Sequence, residues 1–513
     1  MRWITWCVIG LAASAVCAQP AVERAAKRPN IVFIYADDHA QRAVSAYGSD
    51  IVATPNIDRL AASGMRFTQS FVANSICGPA RATVLTGLHS HLNGKMTNQD
   101  GFRDELPTFA TLLQGAGYRT AMIGKWHLPT KPRGFDHWMI ERGGYYNLDL
   151  ETAEGREHRE GYTTEILTDE ALVWMAKQKE AGEPFCLWLN HSAVHRTWMP
   201  GPGYLTRHDE REIPEPETLF DDYTGRSRGA QEAQMRIARD LFPAYDLKLP
   251  VTGEGILDPS ATGLLNRLTP QQRALWDRAY GPKNKAFLDA ELEGESLVRW
   301  KYQRYIKDYL RCVSALDDSV GRVLDSLTKL GLDEDTIVIY SSDQGFFLGE
   351  HGWYDKRWMY EPSLRTPFVV RWPGVTEPGS TCDALIQNID VAPTLLELGN
   401  AKVPAAMQGR SLRPWLEGEA PNDWRDAVYY HYHQKDSGRT NHTVARHIGV
   451  RTERFKLMYL YDLGDWELYD LQEDPHEIHN LAGREEHQEL LAELKEKLRE
   501  LVARYEDETA PDF

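Results

Sequence analysis

The sequence predicts an α/β fold: a large mixed, mostly parallel central sheet with helices on both faces, joined to a smaller C-terminal α+β subdomain. Three observations predict it. Near-continuous apolar runs that read as buried strands alternate with segments of helical periodicity. Oxygen-bearing side chains stand just past the ends of two of those runs. Beyond Pro421 the pattern changes to short strands followed by one amphipathic helix.

Taken in order, residues 1–18 read as a secretory signal peptide. Arg2 precedes an apolar stretch from Trp3 to about Ala13, and Val16-Cys17-Ala18 supplies small residues ahead of Gln19. That stretch is too short to span a bilayer, and no later apolar run is long enough. The expectation is an exported chain, periplasmic or extracellular, with no transmembrane segment. The run Asn30 to Ala36 ends in Asp37-Asp38, which reads as a buried parallel strand with carboxylates at its C-terminal end. Cys77-Gly78-Pro79-Ala80-Arg81 opens a short helix, with Pro79 suited to the first helical position and Gly87 to the residue past the end. Cys77 thus lies at a helix N-terminus, where free amides and the dipole favour an anion.

Pro107 to Gln114 predicts a helix, Tyr118 to Ile123 a strand, and Phe185 to Leu189 another. Residues from about 200 to 296 are charged, with scattered Pro and Gly, and read as an insertion carrying a few helices at the mouth of a site. Leu316, Val320, Val323, Leu324, Leu327 and Leu330 then repeat at helical spacing before the strand Thr336 to Tyr340. These elements make residues 22–420 the main domain. Residues 421–513 form the subdomain, with strands at Val428–Tyr432 and Phe455–Tyr459 and a helix carrying Leu490, Leu491, Leu494, Leu498 and Leu501.

The 513 residues carry a formal net charge of -17, which argues against a nucleic-acid or general polyanion binder. An anionic substrate would need basic residues gathered in one pocket. Cys77, Cys186, Cys312 and Cys382 follow the leader, too few for a disulfide framework.

In parallel sheets, sites form beyond the C-terminal strand ends. Asp37, Asp38, Asp343 and Gln344 stand at such ends and, with an oxygen from position 77, would give a hard cation an oxygen-rich shell. Ligand type suits calcium or magnesium better than zinc. Each residue also has a plain reading. Asp-Asp after a strand is a common turn, Cys77 a buried cysteine, Lys125 a strand-end lysine, His195 a loop histidine and Lys356 one of a solvated charge cluster.

The spacing of Cys77, Pro79 and Arg81 resembles the signature of type I sulfatases. Gly124-Lys125-Trp126-His127, His195, Ser342-Asp343-Gln344-Gly345, Gly349 to Lys356, and Glu467 to Leu471 with Asp474-Pro475 resemble the same family in the same order. The resemblance implies an alkaline phosphatase-like fold and a sulfuric ester hydrolase. It implies that a formylglycine-generating or sulfatase-maturing enzyme oxidises Cys77 to Cα-formylglycine, whose hydrate is the nucleophile. One calcium ion (or magnesium) would be held by Asp37, Asp38, Asp343, Gln344 and the modified Cys77, with Gln344 replacing the more usual asparagine or histidine. Arg81 would hold the hydrate, Lys125 and Lys356 would clamp sulfate oxygens, His127 would act as base and His195 would protonate the leaving alcohol.

The loops look most like those of bacterial sulfatases acting on N-acetylglucosamine-6-sulfate in glycans. Aromatic faces at Tyr145-Tyr146 and from Trp353 to Tyr360 offer pyranose packing. Tyr145 and His447 join Lys125, His195 and Lys356 as expected substrate contacts, and His431 and His433 lie near enough in sequence to reach the same pocket. Alternatives stay open: a sulfatase for another sulfated polysaccharide (host glycosaminoglycan or algal), a phosphate or phosphonate monoesterase of the same superfamily, or an inactive glycan-binding homologue.

Overall fold

The computed structural model describes residues 28–250, 264–435 and 441–513. The leader expected at 1–18 and part of the expected insertion lie outside the described residues.

The ten strands of the main sheet run, edge to edge, Ser380–Cys382, Met65–Phe67, Phe368–Arg371, Thr336–Ser342, Asn30–Ala36, Phe185–Asn190, Arg119–Gly124, His137–Arg142, Tyr146–Thr152 and Arg156–Tyr162. The five central strands from Thr336–Ser342 to His137–Arg142 are mutually parallel. Antiparallel pairs flank them on both sides. The apolar runs lack polar alternation because both faces of the sheet are covered. Val32 and Ile34 point into one core and Ile31, Phe33 and Tyr35 into the other; Val338 and Tyr340 divide from Ile337 and Ile339 in the same way.

One face is covered by helices Pro55–Ala62, Thr163–Ala181 and Gly294–Lys329, the last 36 residues long. The other carries Cys77–Thr86, Phe109–Gly115 and Val391–Leu398. Thr108 and Thr111 form a reciprocal cap at the start of Phe109–Gly115, so that helix begins beyond Pro107 rather than at it. The described parts of the stretch from 200 to 296 pack into the main core: Ile213, Leu219, Met235 and Ile237 are 0–4% exposed. Those four come singly from outside helices and strands, which is why the sequence shows little periodicity there, while helix Pro270–Ala290 adds Trp276 and Tyr280 to the same core.

The C-terminal subdomain is a four-stranded antiparallel sheet, Ala427–Tyr432, His447–Thr452, Phe455–Leu460 and Asp465–Asp470. Helix Gln488–Arg504 lays Leu491, Leu494, Leu498 and Leu501 against it, a spacing of three and four that gives one apolar stripe. Among the described residues no helix is long and apolar enough to cross a membrane.

Candidate active site

Four parallel strands end on one side of the sheet and deliver the site. Asn30–Ala36 presents Asp37 and Asp38, Arg119–Gly124 presents Lys125 and His127, Phe185–Asn190 leads to His195, and Thr336–Ser342 presents Asp343 and Gln344. The helix that carries Cys77 and Arg81 starts at Cys77, two residues ahead of Pro79. Pro79 costs nothing there, because amides in the first turn have no helical partner. Gly87 closes the helix at φ 67°. Gly78 donates its N–H to Asn98 Oδ1 at 3.0 Å, and a Cβ there would come within 2.8 Å of Lys95 Cε.

Cys77 and Arg81, four residues apart, share a helix face. The Cys77 thiol is 1% exposed and accepts from Gln344 Nε2 at 3.4 Å. Burial, then Asp37, pushes its pKa up, so the thiol is protonated and poorly nucleophilic as it stands. Arg81 is fully buried and donates to Asp343 Oδ2 (3.0 Å), Asn190 Oδ1 (2.8 Å) and the Lys125 carbonyl (3.1 Å). Its guanidinium also lies 5.3 Å from the centre of the Tyr35 ring.

Asp37, Asp38 and Asp343 offer oxygens that all lie within 4.8 Å of one another. Asp343 Oδ1 accepts the Asp38 and Gln344 amides at 3.0 and 3.1 Å, which fixes its remaining oxygen toward Arg81. Lys125 Nζ pairs with Asp37 Oδ2, and Lys356 Nζ with Asp38 Oδ2 at 2.6 Å. Burial pushes Asp343 well above the carboxylate range, with Asp37 adding repulsion, and Asp38 up to about 6 even beside Lys356. Asp37 is held low against burial by Lys125 and His195.

Asp37 Oδ1 and Gln344 Oε1 are buried without a hydrogen-bond partner. Two orphaned oxygens beside crowded carboxylates fit a hard divalent cation held by Asp37, Asp38, Asp343 and Gln344. Three carboxylates already face three cations, Arg81, Lys125 and Lys356. A divalent cation would therefore leave positive charge for an anionic ester.

His195 keeps 37% of its side chain exposed, with Nε2 3.8 Å from Asp38 Oδ2. Its Nδ1 bonds to the Arg196 carbonyl, which makes Nδ1 the protonated nitrogen and leaves Nε2 to exchange a proton. Burial and the charges of Lys125 and Lys356 lower its pKa. His127 is solvent-exposed and adopts φ 56°; Asp38, Asp355 and Arg357 also have positive φ, so backbone strain gathers around the site.

The structure brings Cys77, Arg81, Lys125, Lys356, His195 and the four oxygen ligands together, but corrects the expected sugar contacts. Tyr145 is buried, stacked on Tyr162, and donates its hydroxyl to the His195 carbonyl at 2.6 Å. It positions the His195 loop and has no face for a sugar. His447 is fully buried between Trp358, Tyr430 and Tyr432 and accepts the Met359 amide at 3.1 Å. The Trp353 to Tyr360 aromatics are also at 0% exposure, their faces used by Tyr223, Phe347 and one another. His431 is tied to Asp507 instead of to the pocket.

Sequence reasoning missed Asn190, the Arg81 partner. It stands just past an apolar strand, the same signal that marks Asp37. It also missed His442, whose Nδ1 lies 3.1 Å from Asp355 Oδ2 beside Lys356. No local pattern announces that contact, which depends on the C-terminal subdomain folding back.

A family model described as Sulfatase matches residues 29–401, and one described as N-sulphoglucosamine sulphohydrolase, C-terminal, matches 349–504. Over 504 residues the chain is 43% identical to an N-acetylglucosamine-6-O-sulfatase of Bacteroides thetaiotaomicron, covering 96% of this chain and 89% of that protein. A solved structure in complex with its substrate D-glucosamine-2-N,6-O-disulfate superposes with a TM-score of 0.90 at 42% identity, covering 94% of this chain and 99% of that one. A phosphonate monoester hydrolase from Silicibacter pomeroyi shares the fold, with a TM-score of 0.69 at 24% identity over 94% and 96% of the two chains.

Proposed function

This chain belongs to the sulfatase family and is a sulfuric ester hydrolase; on that premise we propose that it removes the 6-O-sulfate of N-acetylglucosamine units in glycans. Cys77 acts as Cα-formylglycine, and calcium occupies the shell of Asp37, Asp38, Asp343 and Gln344. The observation that carries the chemistry is the convergence of Cys77 on Gln344 within a buried set of three carboxylates and three fixed cations; the sugar and its position rest on the likeness to the N-acetylglucosamine-6-O-sulfatase. Export through the leader read at 1–18 is part of the same proposal.

When present, the cation polarises the sulfate oxygens and the hydrated aldehyde supplies the attacking oxygen. The chain's own residues do the remaining work. Arg81, locked by three acceptors, presents a permanent positive charge beside position 77. Lys125 and Lys356 are each anchored by one carboxylate and retain further N–H donors for sulfate oxygens. His195 Nε2 exchanges the proton with the departing sugar oxygen, a step worth roughly 10²–10⁴-fold. An anionic ester seated between the lysines offsets their effect on this imidazole and raises its proton affinity.

Maturation must precede folding, because a thiol that is 1% exposed is closed to a modifying enzyme. A maturation enzyme would therefore act on the Cys77 segment before it packs into the fold.

The test is free sulfate released from N-acetylglucosamine sulfated at defined positions, using protein whose Cys77 is converted. Release from the 6-sulfate and not from the 3- or 4-sulfate is expected. Release from another position, or of phosphate from a monoester in place of sulfate, contradicts the proposal.

A further inference from the structure

Away from the candidate active site, three imidazoles converge on one buried carboxylate. Asp507, just past the last helix, is 4% exposed. Its Oδ2 lies 2.8 Å from His431 Nδ1 and 3.4 Å from His91 Nδ1, and the His433 ring lies tilted against His431 with ring centres 3.6 Å apart. His431, His433 and Asp507 each offer a ligand atom within 4.8 Å of the others.

The hydrogen bonds decide which nitrogens are free. His91 Nε2 bonds to the Tyr505 carbonyl at 2.8 Å, so Nε2 carries the proton and Nδ1 turns a lone pair toward Asp507. His431 Nδ1 stands 2.8 Å from Asp507 Oδ2 as an N–H donor, with Nε2 facing the Tyr461 hydroxyl, so a metal at Nδ1 would take the place of that proton. The His91 lone pair thus opposes the carboxylate, and a cation between them would relieve that repulsion. His433 Nε2 is buried with no hydrogen-bond partner.

We propose that His431, His433, Asp507 and His91 form a second metal site, taking a zinc-class divalent ion. Three imidazoles and one carboxylate are borderline donors that select zinc over calcium. Tetrahedral coordination at ~2.0–2.1 Å places ligand atoms roughly 3.4 Å apart; the His431, His433 and Asp507 atoms lie within 4.8 Å of one another, and His91 Nδ1 stands 3.4 Å from Asp507 Oδ2. The surrounding bonds set the ligands as such sites require: Tyr505 orients His91, Tyr461 orients His431, and Tyr429 donates to Asp507 at 2.6 Å. The ion would staple the C-terminal tail and the strand Ala427–Tyr432 to the segment Ser90–Asn93, which follows the Cys77 helix.

The test uses the full chain, stripped by chelator, reloaded with calcium and dialysed against zinc, with bound zinc counted by mass spectrometry. Cobalt(II) in place of zinc gives a second readout through its visible tetrahedral bands. Wild type is expected to hold one zinc equivalent that His433→Ala loses, and His91→Gln to lose it or weaken it at least tenfold. Asp343→Asn should keep that equivalent and the cobalt bands. Retained sulfatase activity shows that the histidine variants fold. Equal zinc in wild type and both histidine variants overturns the site, as does zinc lost only in Asp343→Asn. A wild type that binds neither metal, yet changes stability with pH across about 5–8 in a His433-dependent way, holds a proton there and overturns it too.

Discussion

Replacing Arg81 by lysine keeps the charge and removes the geometry. The guanidinium makes three hydrogen bonds in different directions, to Asp343, Asn190 and the Lys125 carbonyl, at zero exposure. A lysine ammonium can keep the bond to Asp343 but cannot span the other two acceptors. Two buried acceptors left without a partner, at roughly 1–3 kcal/mol each, put the stability loss at ~2–6 kcal/mol. A catalytic loss accompanies it. Removing one preorganised charge-stabilising donor costs about 10²–10³ in kcat. The assay is sulfate release per formylglycine-bearing chain, with urea unfolding of the same preparation. Arg81→Lys should lower kcat at least a hundredfold, with a stability loss within that range. Activity within threefold of wild type would refute the claim that the fixed fork of Arg81 organises the nucleophile.

Other outcomes follow from the same geometry. Tyr145→Phe removes the hydroxyl that holds the His195 carbonyl and should lower kcat up to about tenfold with KM unchanged; a rise in KM alone would restore Tyr145 as a sugar contact. Chelation should abolish activity and lower Tm, and added calcium should restore both, because the orphaned oxygens and crowded carboxylates lose their counter-charge; full activity after complete chelation would contradict the metal shell. Glu141 is pushed up to about 7 by burial, so it favours the fold while protonated. Its stabilisation is complete below about 4.5 and fades as pH rises through about 7. Glu141→Gln should flatten that part of a Tm–pH profile, and an unchanged slope would contradict the assignment.

Much of the fold is legible in the sequence because burial on both sheet faces writes long apolar runs, as at Asn30–Ala36 and Thr336–Ser342. The carboxylates stand out for the same reason: Asp37 and Asp343 are the first charges after those runs. Faces are less legible than positions. Tyr145, His447 and the Trp353 to Tyr360 aromatics have the composition of a sugar platform, yet their rings are consumed by mutual packing. Only tertiary contact separates a buried aromatic from one that faces a ligand. The 200–296 segment hides its core role because Ile213, Leu219, Met235 and Ile237 are buried one at a time outside helices and strands, and His442 reaches the site only through the chain's return from the C-terminal subdomain.

The central claim rests on position 77, and one measurement addresses it: sulfate released from N-acetylglucosamine-6-sulfate, plotted against the fraction of Cys77 that mass spectrometry finds converted to the aldehyde. The account predicts a straight line through the origin, with no turnover in Cys77→Ala. Full activity in protein whose Cys77 is still a thiol, or in Cys77→Ala, would contradict it.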